Sequence, residues 1–197
     1  MMLPLQKNIL ATCIAVSLSS AFYTLIWLSP GTFRRFAGAS NSVRVMALSA
    51  HFLKLVQFGL IAASPISPAA ALLSALRSCP ADARPCALFV GCVLLFAFGQ
   101  TLNTRVYYLL GEGGVYYGNI LEPHVKRPWV REWPYNSVWI RHPQYLGSTL
   151  SLLAVAGVGM VHPTVALCWA GNYLYLALLE SDLLCARSSM PEKKAAK

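Results

Sequence analysis

Residues 85–110 read PCALFVGCVLLFAFGQTLNTRVYYLL, and this stretch decides the fold class. It carries no charged side chain before Arg105. A helix of about 20 predominantly apolar residues is long enough to cross the hydrocarbon core of a bilayer. The stretch therefore predicts a membrane-spanning helix.

Further apolar regions extend this prediction to the whole chain. Of its 197 residues, 56% are hydrophobic and only 12% are charged, a balance that is rare in water-soluble domains of this size. Stretches near 8–29 and 44–63 are each long enough for one span. Region 148–180 is too long for one helix and contains His162-Pro163, where proline removes a backbone donor. We predict an all-α integral membrane fold of four or five helices, in which 148–161 and 164–180 form a helical hairpin.

The distribution of Lys and Arg supports the hairpin, because cytosolic loops of membrane proteins carry an excess of these residues. The formal net charge is +9, and rich basic clusters follow the first, third and last predicted helices. Only Arg77 and Arg84 lie between the second and third helices. A hairpin places every rich cluster, including the C-terminal tail, on one side of the membrane. Such clusters indicate contact with anionic lipid rather than with nucleic acid.

The cysteines give no sign of a metal centre. None of the six belongs to a CxxC pair or joins a His at zinc-ligand spacing. Cys79 and Cys86 flank a Pro-rich turn and would pair in an oxidising compartment, but two free thiols are the preferred interpretation. We find no internal repeat and no separate soluble segment, so residues 1–197 are interpreted as one membrane-embedded domain.

A polar and aromatic element, RHPQYLG, occupies Arg141–Gly147, between the third helix and the hairpin. An acid, Glu180, stands at the membrane end of the last helix. Together they resemble the RHPxYxG element of integral-membrane methyltransferases, the group that contains phospholipid N-methyltransferases and isoprenylcysteine carboxyl methyltransferases. Residues 99–118, GQTLNTRVYYLLGEGGVYYG, are similar to the short phospholipid N-methyltransferases. This resemblance extends over about residues 45–182.

The resemblance implies a reaction. A methyl group would pass from S-adenosylmethionine to the amine of phosphatidyl-N-methylethanolamine or its dimethyl form, giving phosphatidylcholine. The alternatives are an isoprenylcysteine carboxyl methyltransferase, which shares RHPxYxG, and a non-catalytic lipid-binding membrane protein. The resemblance also implies the endoplasmic reticulum membrane, with the site and the C-terminus cytosolic; a mitochondrial membrane is the alternative.

In the family that this chain resembles, the cofactor is bound by a GxG element in the third helix and by a Glu-Glu pair at the end of the last helix. The aligned positions are Ala97-Phe98-Gly99 and Glu180-Ser181, and each keeps only part of the family pattern. The residues that the resemblance implies for binding S-adenosylmethionine are Ala97, Phe98, Gly99, Arg141, His142, Pro143, Gly147, Glu180 and Ser181.

Methyl transfer requires aligned reactants and an acceptor for the proton that the amine releases. His142, Tyr145 and Glu180 are therefore the catalytic candidates. For His142 the alternative is a helix-capping role beside Pro143. For Glu180 it is an interfacial ion pair with Arg141 or Arg187.

Substrate contacts are expected from the end of the third helix and the loop after it. Arg105 would bind the lipid phosphate or the cofactor carboxylate, or else reach the membrane interface as a snorkelling side chain. Trp129 and Trp133 would surround a methylated ammonium through cation–π contacts. Because Trp also collects at membrane interfaces whatever the function, an interfacial role is the alternative for both.

Overall fold

The computed structural model describes residues 3–65, 67–78, 83–122 and 130–188, and side chains as far as Ser181. These parts of the chain contain helices and turns and no β-strand. The helices are α1 (Pro4–Leu28), α2 (Pro30–Ala37), α3 (Ser42–Ala62), α4 (Pro68–Ser78), α5 (Ala83–Val115), α6 (Gly118–Leu121), α7 (Pro143–Gly157) and α8 (Pro163–Ser188). The predicted all-α fold is confirmed.

Among the described residues, three segments are long and apolar enough to cross a membrane. They are Pro4–Leu28, Ser42–Ala62 and Ala83–Leu121. They correspond to the stretches predicted near 8–29, 44–63 and 85–110. The third continues past its predicted end, because the chain kinks at Gly111 and then resumes a helical path.

The predicted hairpin is also confirmed. The chain leaves α7 at Gly157 and begins α8 at Pro163, directly after His162. Proline is favoured in the first turn of a helix, where its missing N–H has no intrahelical partner. His142 at the start of α7 contacts Ser181 of α8, so the two helices are antiparallel. Their outer bounds differ from the prediction, because α7 already begins at Pro143 and α8 continues to Ser188.

Two glycines bring α5 and α7 into backbone contact. A Cβ atom added to Gly99 would lie 2.5 Å from the Gly147 carbonyl oxygen, and one added to Gly147 would lie 2.5 Å from the Gly99 carbonyl oxygen. Beside them, Gln100 Nε2 donates to Ser151 Oγ at 2.9 Å. Small residues of this kind let membrane helices approach closely. The contact fixes where α7 begins relative to α5.

The turn before α5 corrects one prediction. Cys86 is disulfide-bonded, so the expectation of a free thiol at this position is wrong. Cys79 lies outside the described residues. Helix α4 packs against α5.

Candidate active site

The glycine-rich segment 111–118 bends the end of α5 toward the other helices. Gly111 has φ 63° and ψ −179°, a backbone conformation that essentially only glycine adopts. Tyr117 lies in the left-handed region, with φ 58°. Gly118 packs directly against the backbone of Gly113. A Cβ atom added to Gly118 would lie 2.5 Å from the Gly113 carbonyl oxygen. The bend places the Tyr117 side chain among the helices rather than at the surface.

Tyr117 meets two residues that are distant from it in sequence. Its hydroxyl and that of Tyr145 both donate hydrogen bonds to Glu180 Oε1, and the two phenol oxygens are 3.5 Å apart. Hydrogen bonds to a carboxylate are stronger than those between neutral groups. We call Tyr117, Tyr145 and Glu180 the tyrosine–glutamate cluster. It joins the end of α5 to α7 and α8.

His142 lies beside this cluster with a defined tautomer. Ser181 Oγ donates to the Ala177 carbonyl oxygen at 2.7 Å and lies 2.7 Å from His142 Nε2. A serine hydroxyl has one hydrogen to donate, so His142 Nε2 is the donor in the second contact. The lone pair of the neutral ring is then on Nδ1, which lies 3.9 Å from Glu180 Oε2.

The surroundings of His142 keep its ring neutral. Burial lowers its pKa below the ordinary value of 6.5, and the neighbouring Arg141 guanidinium lowers it further. The residue occupies the N-cap position of α7, but its side chain makes no capping hydrogen bond. His142 therefore offers a basic nitrogen near neutral pH, and its ring stacks on Tyr145 with centroids 5.9 Å apart.

These groups line a cavity of 420 Å³, which we call the site cavity. Arg141, His142, Tyr145 and Glu180 line it, and so does Tyr135. Burial raises the pKa of Tyr135 to about 12, so this phenol stays protonated at neutral pH. The cavity combines a cation, a carboxylate and a neutral imidazole.

A second cavity, of 160 Å³, adjoins the first and shares Val115, Gln144 and Tyr145 with it. It contains Lys54, whose Nζ atom donates to the Tyr173 hydroxyl at 3.2 Å. Lys54 lies well inside α3, and a charge at membrane depth is costly enough to suggest a function. No role was predicted for Lys54 from the sequence, although a charge within the apolar stretch 44–63 is a visible signal.

Comparison with known proteins now decides the family. Residues 87–184 match the phospholipid methyltransferase family. The chain is also 36% identical over 173 residues to phosphatidyl-N-methylethanolamine N-methyltransferase of Arabidopsis thaliana, an alignment that covers 87% of this chain and 92% of the relative. The chain belongs to the phospholipid methyltransferase family. No solved structure matches it.

Family membership confirms the resemblance carried by RHPQYLG, and it decides against the carboxyl methyltransferase alternative. Within this methyltransferase, the predicted residues Arg141, His142, Pro143, Tyr145 and Glu180 all line the site cavity. Ser181 joins them through its contact with His142. Gly147 lies one helical turn after Pro143, where α7 contacts Gly99.

The other predicted cofactor residues of this methyltransferase lie elsewhere. Ala97 and Phe98 are exposed on the outer face of α5, and the described residues that line the site cavity include neither. The Phe98 ring lies 6.5 Å from that of Trp133, centroid to centroid. Because successive residues on a helix point about 100° apart, Gly99 faces α7 while its two predecessors face outward. Cofactor contact by Ala97 and Phe98 stays a prediction.

Arg105 and Trp133 also lie on that outer face. Arg105 forms an ion pair with Glu132 at 3.1 Å and donates to the Trp133 carbonyl oxygen at 3.4 Å. Its guanidinium carbon lies 5.4 Å from the centre of the Tyr108 ring. Among the described residues, neither Arg105 nor Trp133 lines the site cavity. Trp129 lies outside the described residues.

Proposed function

We propose that this methyltransferase transfers methyl groups from S-adenosylmethionine to the amine of phosphatidyl-N-methylethanolamine and phosphatidyl-N,N-dimethylethanolamine, giving phosphatidylcholine. The observation that carries the proposal is the meeting of Arg141–Tyr145 with Glu180 in one cavity. The Arabidopsis relative, which the alignment covers almost completely, is named for the first of these lipids.

The site cavity suits S-adenosylmethionine in its chemistry. Arg141 would bind the carboxylate of the amino-acid moiety, since guanidinium and carboxylate form paired charge-assisted hydrogen bonds. Glu180 Oε2 would accept from its ammonium or ribose hydroxyls, because the Tyr117 and Tyr145 hydroxyls both bond to the other oxygen. When bound, S-adenosylmethionine supplies an electrophilic methyl group on a sulfonium.

The chain would contribute alignment and proton transfer. The attacking nitrogen must be neutral, so each methyl transferred releases one proton. His142 Nδ1 carries a lone pair near neutral pH and would accept that proton. Ser181 holds the ring orientation, and Tyr145 and Tyr117 hold Glu180. Alignment of two bound reactants contributes up to about 7–11 kcal/mol in favourable cases.

We further propose the endoplasmic reticulum membrane, with the site and the C-terminus on the cytosolic side. Cys86 and the site lie toward opposite ends of α5, and disulfides form in oxidising compartments such as the reticulum lumen. Helix α2, which carries Arg34 and Arg35, packs against α6 at the site end. Excess Lys and Arg mark the cytosolic face, so both features support this orientation.

The test uses the purified full-length protein with labelled S-adenosylmethionine and, in parallel, phosphatidylethanolamine and its mono- and dimethyl forms. We expect label in the mono- and dimethyl reactions. His142→Ala should lower kcat by about 10²–10⁴-fold, and Glu180→Ala should raise KM for S-adenosylmethionine. His162→Ala is the matched control, because His162 lies in the α7–α8 turn. Absence of labelled lipid with the wild-type protein would overturn the proposal.

A further inference from the structure

The outer surface of the hairpin contains a groove of 490 Å³ between α7 and α8. We call it the hairpin groove. Apart from Thr149 and Tyr173, its long walls are apolar or small, and the charged side chain among its lining residues, Arg141, belongs to one end. Along the walls lie Leu146, Thr149, Leu167, Ala170, Gly171 and Leu174. Leu167 and Leu174 are 65% and 63% exposed, so the groove opens outward from the helices.

The groove has the length of one lipid leaflet. Its α8 wall runs from Ala177, close to the contact between Ser181 and His142, to Leu167. At 1.5 Å per residue, this wall is about 15 Å long. The hydrocarbon core of a bilayer is about 30 Å thick, so one leaflet contributes about half of that. A single acyl chain of the leaflet next to the site would lie along the groove.

The polar end of the groove is continuous with the site cavity. Arg141, His142 and Tyr145 line both spaces. The Arg141 guanidinium has five N–H donors, so one edge can pair with phosphate oxygens while another holds the carboxylate of the methyl donor. An amphiphile with an anionic phosphate next to its hydrocarbon chain therefore matches the groove in charge as well as in length.

We propose that the hairpin groove binds one acyl chain of the phospholipid substrate, with the phosphate at Arg141 and the amine directed past Tyr145 into the site cavity. The inference rests on the proposed function and adds the route by which the lipid reaches the site. Phosphate and amine are close together in the headgroup, so a phosphate at Arg141 brings the amine near His142.

Gly171 gives direct access to the groove. A Cβ atom added there meets no other atom within 4 Å, so a larger side chain would extend into the groove without a clash. Gly91 on α5 is equally open and exposed, and it is not among the residues that line the groove. Gly171→Phe and Gly91→Phe are therefore a matched pair.

The experiment compares two methyl acceptors for the full-length protein. One is dioleoyl phosphatidyl-N-methylethanolamine, and the other is glycerophospho-N-methylethanolamine, which has the headgroup without acyl chains. The measured quantity is the ratio of their kcat/KM values. Gly171→Phe should lower this ratio by about tenfold or more, since filling a pocket that holds hydrocarbon costs at least that much in discrimination. Gly91→Phe should leave the ratio at its wild-type value.

A ratio for Gly171→Phe equal to that of Gly91→Phe would overturn the groove assignment while the proposed function stands. Wild-type protein that methylates neither acceptor would overturn the proposed function, and the groove with it. Leu174→Trp fills the same groove from one turn further along α8, so it replaces Gly171→Phe if that protein does not accumulate. The same fall in the ratio is expected for it.

Discussion

At the scale of single residues, the carboxyl group of Glu180 organises the site. One of its oxygens receives two phenol hydroxyls and the other lies near His142. Removing such a donor from a carboxylate costs more stabilising free energy than removing it from a neutral acceptor. Hydrogen bonds to charged groups contribute about 1.5–3 kcal/mol. The orientation of Glu180 thus depends on residues of two other helical segments.

Tyr117→Phe tests this dependence. It removes one hydroxyl donor from Glu180 and keeps the ring, which packs against Trp27 with centroids 5.1 Å apart. We expect kcat/KM for S-adenosylmethionine to fall about tenfold or more, as a loss of about 1.5–3 kcal/mol implies. Tyr108→Phe is the control, because Tyr108 is 78% exposed. Equal activity of the two variants would contradict a role for the Tyr117 hydroxyl.

We expect the pH dependence of activity to follow the protonation of His142. Its pKa lies below 6.5 because of burial and the Arg141 guanidinium, while the Glu180 carboxylate faces the same ring. The neutral base therefore persists as the pH falls to 6.5, and activity is lost only at lower pH, where the ring protonates. Arg141→Gln removes a charge that lowers this pKa, so the acid limb of the kcat profile should move to higher pH.

Arg131→Gln is the comparison for this shift, since Arg131 is an exposed loop residue. Its acid limb should coincide with that of the wild-type protein. An acid limb in Arg141→Gln that is unmoved, or moved to lower pH, would show that His142 is not the titrating group.

At the scale of elements, the bend at Gly111 determines where the side chains that follow it lie. A straight helix would carry Tyr117 past the cluster. Ala at position 111 cannot adopt φ 63° with ψ −179° without strain, and such conformations cost about 1–3 kcal/mol in non-glycine residues. Gly111→Ala should therefore lower the melting temperature and reduce methyl transfer together.

Gly91→Ala gives the opposite expectation on the same helix. Gly91 is an open helical position of α5, where Ala is a better helix former than Gly by about 1 kcal/mol. This variant should match or exceed the wild-type melting temperature with full activity. If Gly111→Ala also keeps the wild-type melting temperature and full activity, the bend does not position Tyr117.

The elements show which features a sequence reveals. Apolar length and proline breaks are local, so the spans and the α7–α8 break followed from the stretches near 8–29, 44–63 and 85–110 and from His162-Pro163. The start of α7 was placed too late, because the helix begins within the polar RHPQYLG and not at the apolar residues after it. Helix α2, which is short and carries Arg34 and Arg35, has no apolar run to reveal it.

The site was predictable only where a motif carried it. His142, Tyr145 and Glu180 followed from the family resemblance, and the structure places them together. The partnership of Tyr117 with Glu180 joins residues 63 positions apart, and it depends on the Gly111 bend, which is not readable from glycine content alone. The outward position of Ala97 and Phe98 follows from helical phase, once Gly99 is known to face α7.

At the scale of the whole molecule, the fold separates two chemical environments across the membrane. Near one end of α5 the chain is cross-linked at Cys86, and near the other it carries the basic α2 helix and the site. In the proposed orientation, the basic residues lie on the side where anionic headgroups attract them. The orientation should be fixed by the same charges that border the site.

This orientation predicts the fate of a C-terminal epitope tag in sealed microsomes. Protease added outside should remove the tag without detergent, because the proposed orientation places the C-terminus on the cytosolic side. Replacement of Arg34 and Arg35 by Gln removes part of the charge bias and should increase the protected fraction. A tag that is protected in the wild-type protein until detergent is added would reverse the assigned orientation.

Tyr145 lines the site cavity, the second cavity that contains Lys54, and the hairpin groove. A rotation of its ring would change all three spaces together, so we expect occupancy of one space to affect occupancy of the others. Such linkage is reciprocal: if the lipid tightens binding of the methyl donor by some factor, the donor tightens binding of the lipid by the same factor. We expect each dissociation constant to fall by one common factor when the other ligand is bound, and Tyr145→Ala to bring that factor close to one.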